Sequence, residues 1–146
     1  RTTLHHSGVG DPAAVLSMPE QSGDSALPCF YSSGMAFADG VPISVAALDS
    51  LTSEVPAGTS SVLKVDVEGT EAAVFEHGRG FLAAHRPDIV CEVLPEADGA
   101  LLGSLLEPFG YRFHLIGERA LAPAGPIDAG QRSIADRMEA LGIPVA

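Results

Sequence analysis

Lysine is almost missing from this chain. Lys64 is the only one in 146 residues, and the basic residues total 8 against 19 acidic ones, for a net charge of -11. A phosphate backbone is held by clustered Lys and Arg, so a nucleic-acid partner is not expected. Long apolar runs are missing too. None approaches the roughly 20 residues that span a bilayer, so no membrane partner is expected either. Cysteine is scarce, with Cys29 and Cys91 alone and no metal-site spacing between them. Cys91 lies in an apolar run and reads as a buried, reduced thiol. That suits a reducing, cytoplasmic compartment. The chain opens on Arg1 with no charged, apolar leader behind it, and it reads as cut from something longer.

What is present is ordinary globular material. Hydrophobic residues make up 46% and charged residues 18%, too apolar for a disordered chain. The length allows one domain at most.

In order, residues 2–9 read as a modest strand stopped by Gly10-Asp11-Pro12, and residues 13–18 as a short second one. Residues 19–40 form a Ser-, Gly- and Pro-rich loop. A short strand at 41–45 belongs at a sheet edge because of Pro42. Residues 46–51 read as a brief helical turn, broken by Pro56-Ala57-Gly58. Residues 61–67 are nearly continuously apolar, as a strand covered on both faces is. A helix then begins at Thr70, a suitable N-cap, with Glu71 in its first turn. It runs towards His85, weakened by Gly78 and Gly80, and Pro87 ends it. Residues 88–94 form a second apolar strand. Residues 98–109 are a helix with Leu101, Leu102, Leu105 and Leu106 on one stripe, closed by Gly110, and 111–116 alternate like a strand. Residues 123–126 read as a loop and 129–141 as a last helix. Strand, helix, strand, helix, strand from residue 61 onwards implies a mostly parallel sheet with helices on its faces.

The chemistry concentrates where the 61–67 strand ends. Asp66 and Glu68 are two apart, so an extended chain puts both carboxylates on one side, in a row with Lys64. Glu71 follows in the first helical turn. Open α/β sheets bind ligands beyond the carboxyl ends of their strands. Such a group can polarise a hydroxyl, bind a cation or anchor a ligand. A Lys–Asp pair among solvated acids is the plainer reading, and spacing alone leaves the two near balance. Gly69 lets the backbone approach a ligand or adopt positive φ. Glu92 interrupts the second apolar strand, either as a further acid facing the crevice or as a simple strand-end charge. The five histidines lack ligand spacing and read as structural or surface residues, with His77 away from the crevice.

Lys64-Val65-Asp66-Val67-Glu68-Gly69-Thr70-Glu71 closely resembles the K-I-D-V-E-G-x-E motif of FkbM-type S-adenosylmethionine-dependent methyltransferases. Ala47-Leu48-Asp49-Ser50-Leu51 is similar to that family's T-L-D-x-L segment, with Ala47 in place of Thr. Arg86-Pro87-Asp88-Ile89-Val90-Cys91-Glu92 resembles its R-P-x-I-x-x-E strand, and Gly110-Tyr111 its late Gly-Tyr. Ser7-Gly8-Val9-Gly10-Asp11 is similar to an A-V-G-D strand ending. The resemblance covers residues 5–116.

It implies a Rossmann-like class I methyltransferase fold and transfer of a methyl group to a hydroxyl of a small molecule or sugar. By the same resemblance Asp66 and Glu68 are the catalytic carboxylates, acting as general base or on a metal. Lys64, Gly69, Glu71 and Glu92 support them or bind the acceptor, and Asp11 reaches the adenine amino group. A turn acid before Pro12 is the other reading of Asp11. Ser32-Ser33-Gly34 lines the acceptor site or is a solvated loop. Whether a divalent metal takes part stays open, as do the acceptor and the oligomeric state.

The family's glycine-rich first strand–turn–helix has no counterpart here. Residues 1–146 therefore read as a partial domain lacking its N-terminal strands and the cofactor-binding first half, and the 2–9 strand is expected to have no neighbour. The competing readings are a truncated, non-catalytic α/β module and, from the loose likeness of Asp66-Val67-Glu68-Gly69-Thr70 to D-x-D-G-T, a haloacid-dehalogenase-like phosphatase. The second lacks the following Lys and the later Gly-Asp of that chemistry.

Overall fold

The computed structural model describes residues 2–14, 16–18, 41–67, 69–93, 97–116 and 121–123. Outside these lie the loop expected at 19–40, the last helix expected at 129–141, and Glu68. The chain forms two compact units, Arg1–Glu92 and Val93–Ala146.

The first unit contains β1 (Gly8–Val9), β2 (Leu16–Met18), β3 (Val41–Ile43) and β4 (Val45–Ala46). A seven-residue 3₁₀ helix, Leu48–Glu54, follows. Then come β5 (Val62–Val65), α1 (Glu71–Glu76), α2 (Arg79–His85) and β6 (Asp88–Cys91). β1 pairs in parallel with β4, Gly8 opposite Val45 and Val9 opposite Ala46. The 2–9 segment thus has the neighbour it was not expected to have, although only its last two residues are strand. β2 and β3 are antiparallel, with Pro42 opposite Ser17. β5 and β6 are parallel, and α1 and α2 make the crossover that parallel neighbours require. The fold is mixed α/β with small parallel sheets. Of the four described two-stranded ladders, two are parallel and two antiparallel, and the expected pairing of the 61–67 and 88–94 strands is one of the parallel ones.

Among the described residues, β5 and β6 are covered on one face. Val65 is buried, while Val62 is 71% and Val90 41% exposed. Side chains alternate across a strand, so Val62 and Lys64 lead to Asp66 on the open face. The run of apolar residues pointed to cover on both sides. One face here instead carries the charged row.

The helix expected to run towards His85, weakened at Gly78 and Gly80, stops at Glu76 and restarts at Arg79. The reason is a long-range contact. A Cβ on Gly78 would stand 2.7 Å from Leu48 Cδ2 and 2.8 Å from the Val74 carbonyl oxygen. Gly78 thus lets the 3₁₀ helix press against the crossover. Asp49 completes the junction: its Oδ1 accepts the Phe81 N–H at 2.8 Å, and its own N–H donates to the His77 carbonyl at 3.0 Å. Gly80 keeps the space beside that carboxylate clear, since a Cβ there would lie 3.2 Å from its atoms. Buried Leu48, Val65, Val74, Phe75, Phe81 and Leu82 make up the unit's core, and each fully buried side chain of this size contributes about 1.5–3 kcal/mol.

Two outcomes follow. Gly78→Ala is expected to overpack this junction and cost about 1–3 kcal/mol, seen as a lower urea midpoint with an unchanged slope. Asp49→Ala removes the cap of α2 and is expected to cost about 0.5–2 kcal/mol, measured the same way.

In the second unit Asp98 caps α3 (Gly99–Leu106) by accepting the Leu101 N–H at 2.9 Å. Leu102, Leu105 and Leu106 are buried and Leu101 is not. A short 3₁₀ turn, Glu107–Phe109, ends at Gly110 with φ 74°, and β7 (His114–Ile116) pairs antiparallel with β8 (Leu121–Pro123). No described helix is long and apolar enough to cross a membrane.

Candidate functional site

The site lies where β5 and β6 end. Val65 is opposite Cys91, and the Glu92 N–H donates to the Val65 carbonyl at 3.0 Å, which carries the ladder one step further. Asp66 and Glu92 therefore leave adjacent parallel strands side by side. Lys64 forms an ion pair with Asp66. This hydrogen bond from Lys64, a second one shared with Glu92, and the Lys64 charge hold the Asp66 carboxyl below the usual carboxylate range. Reciprocally, Asp66 raises the Lys64 ammonium above its ordinary value, opposed in part by burial. Both side chains are well exposed, at 69% and 39%, so the pair sets local charge and adds little to stability.

The turn after β5 is held by Glu71. This carboxylate is 1% exposed, and its Oε1 accepts the Gly69 N–H at 2.9 Å. Gly69 has φ 97°, the left-handed region in which a side chain is strained. Glu71 is thus a turn-holding residue, and Gly69 has the positive φ its position suggested. Thr70 does not cap α1 through its side chain. Its φ and ψ, −107° and 18°, are not those of an N-cap, and Oγ1 donates back to the Val67 carbonyl at 3.0 Å.

Behind the turn is the Cys91 thiol, half-buried and free. Burial first, then the negative charges of Glu71, Asp66 and Glu92, push it up to about 12. The thiol is therefore protonated at neutral pH and is no nucleophile there.

Asp11 sits just beyond β1. Its Oδ1 accepts the Ala13 N–H at 2.8 Å, so the expected turn role is present. His77 Nε2 lies 3.6 Å from the same oxygen. The sequence set His77 away from the crevice, and it lies beside Asp11 rather than among the acids of the acceptor cluster. No local signal marks it, because its position depends on Gly10, just after β1, approaching α1, where a Cβ would be 3.8 Å from Ala73 Cβ. Other histidines do serve structure: His5 pairs with Glu54 at 3.0 Å, and His85 Nε2 donates to the Thr52 carbonyl at 2.9 Å. Among the described residues no group of three His, Cys, Asp or Glu side chains comes together to hold a metal ion.

Residues 2–113 match the Methyltransferase FkbM domain. The chain belongs to the FkbM methyltransferase family. No curated protein and no solved structure matches it. Within the FkbM domain, the matched residues take in β1, the 3₁₀ helix, the Lys64–Glu71 motif and β6 with Glu92. Membership favours the methyltransferase reading over the phosphatase one.

Proposed function

We propose that this chain carries the acceptor side of an S-adenosylmethionine-dependent methyltransferase that methylates a hydroxyl on a small molecule or sugar. The observation that supports it is the Lys64–Asp66–Glu92 constellation at the ends of two parallel strands. When bound, S-adenosylmethionine supplies a methyl group on a positively charged sulfur that leaves as a neutral thioether.

Asp66 would accept a hydrogen bond from the acceptor hydroxyl and orient its oxygen. A carboxylate held below its usual range is a weak base, so orientation is its first task. The hydroxyl must give up its proton on transfer, and even a weak base such as Asp66 would take it then. Glu68, next but one in the motif, is the second candidate for that proton. Lys64 keeps Asp66 charged, and Glu92 gives the proton a second carboxylate to share. Glu71 and Gly69 hold the turn after β5.

Asp11 fits the adenine edge of the donor. The Ala13 N–H and His77 both meet Oδ1. Oδ2 takes part in neither contact and can accept from an exocyclic amino group.

The test is incubation of the full-length protein with methyl-labelled S-adenosylmethionine and a panel of hydroxylated sugars and small molecules. Label is expected in a base-stable ether. Label found on nitrogen, carbon or a carboxyl ester instead would overturn the hydroxyl assignment.

A further inference from the structure

His77 lies outside the acceptor cluster, yet it is fixed from two sides. Its N–H donates to the Ala73 carbonyl at 3.1 Å, and its carbonyl accepts the Asp49 N–H at 3.0 Å. The imidazole is therefore presented from the end of α1, with Nε2 3.6 Å from Asp11 Oδ1 and both side chains partly open to solvent, at 36% and 43%. Asp11 is held from its other side by the Ala13 N–H on the same oxygen.

We propose that His77 is a positioning residue for Asp11, orienting that carboxylate so that Oδ2 faces the amino group of the donor's adenine. The inference rests on the methyltransferase reading. A carboxylate on a loop otherwise rotates about its terminal bond and presents either oxygen. The Ala13 N–H holds Oδ1 and the imidazole stands beside that same oxygen, which leaves Oδ2 to the ligand. Ordering the acceptor before binding lowers the cost of binding. The separation is long for a hydrogen bond, and contacts of this kind tighten when the ligand arrives. The same contact joins the adenine side of the site to α1, the helix that begins at the acceptor motif.

The probe is S-adenosylhomocysteine, titrated calorimetrically into the full-length protein. His77→Ala is expected to weaken it about tenfold. His77→Gln, whose amide nitrogen can take the place of Nε2, is expected to stay within about threefold of wild type. Adding His77→Ala to Asp11→Asn is expected to cost no more than about twofold, because the two residues act as one. The hypoxanthine analogue S-inosylhomocysteine lacks the amino group and is expected to bind wild type and His77→Ala alike.

Equal affinity of wild type and His77→Ala for the adenosyl ligand overturns the inference. So does a loss that is the same for both ligands, which marks a merely structural role. Failure of the wild type to bind either ligand overturns the methyltransferase reading, and the inference falls with it.

Discussion

Asp66→Asn in the full-length protein is expected to lower methyl transfer by about 10²–10⁴-fold, the usual contribution of a positioned proton acceptor, with little change in the unfolding midpoint. The amide keeps the shape of the carboxylate but loses its charge and its ability to take a proton. The fold is spared because the Asp66 side chain is 39% exposed and its partner Lys64 69%, and exposed ion pairs contribute about 0–1 kcal/mol. Glu68→Gln is expected to impair transfer in the same way. The pair separates the roles: if one variant is silent and the other crippled, the crippled residue is the base. Full activity in both contradicts the assignment.

The second large effect concerns Cys91. With its thiol raised from 9.0 to about 12, the thiolate fraction at pH 8 falls by about a thousandfold. In a full-length Cys29→Ser variant, iodoacetamide is expected to alkylate Cys91 roughly tenfold to a hundredfold more slowly than in the urea-unfolded chain, where the thiol regains its ordinary value, because a thiolate of higher pKa is the better nucleophile and offsets part of the loss. Part of this shift comes from Glu71, Asp66 and Glu92, so Asp66→Asn is expected to speed the reaction modestly. The linkage has a definite sign. The folded value is raised, so the associated stability is fully present below about pH 9 and is lost as pH rises through about 12. Alkylation as fast as in the unfolded chain contradicts both the burial and the acidic surroundings.

Local features were legible in the sequence. The apolar run placed β5, and Pro87 followed by a second run placed β6. The leucine stripe placed α3, and Gly69 and Gly110 take the positive φ that their turns require. The acids at the strand ends were recognisable because strand periodicity alone puts Lys64 and Asp66 on one side.

What the sequence hid depends on distant residues. Gly78 and Gly80 look like helix weaknesses until Leu48 and Asp49 arrive against them. Asp49, which the motif comparison marks without explaining, is a helix cap made across 32 residues of chain. Thr70 looks like an N-cap by type, but its backbone is turned away from that geometry and its hydroxyl bonds to Val67. β1 is paired because β4, whose register no local pattern announces, lies beside it. The contact between His77 and Asp11 follows from that same docking.

In the proposed reaction Asp66, kept ionised by Lys64, governs transfer. The pH dependence of methyl transfer by wild type and by Lys64→Met tests it most directly. Asp66 is held low chiefly by the Lys64 hydrogen bond, so wild-type activity is expected to persist well into acid before it falls. Without Lys64 the carboxyl rises towards its ordinary value, and the fall is expected at higher pH. An acid limb that stays in the same place in both proteins would contradict the account.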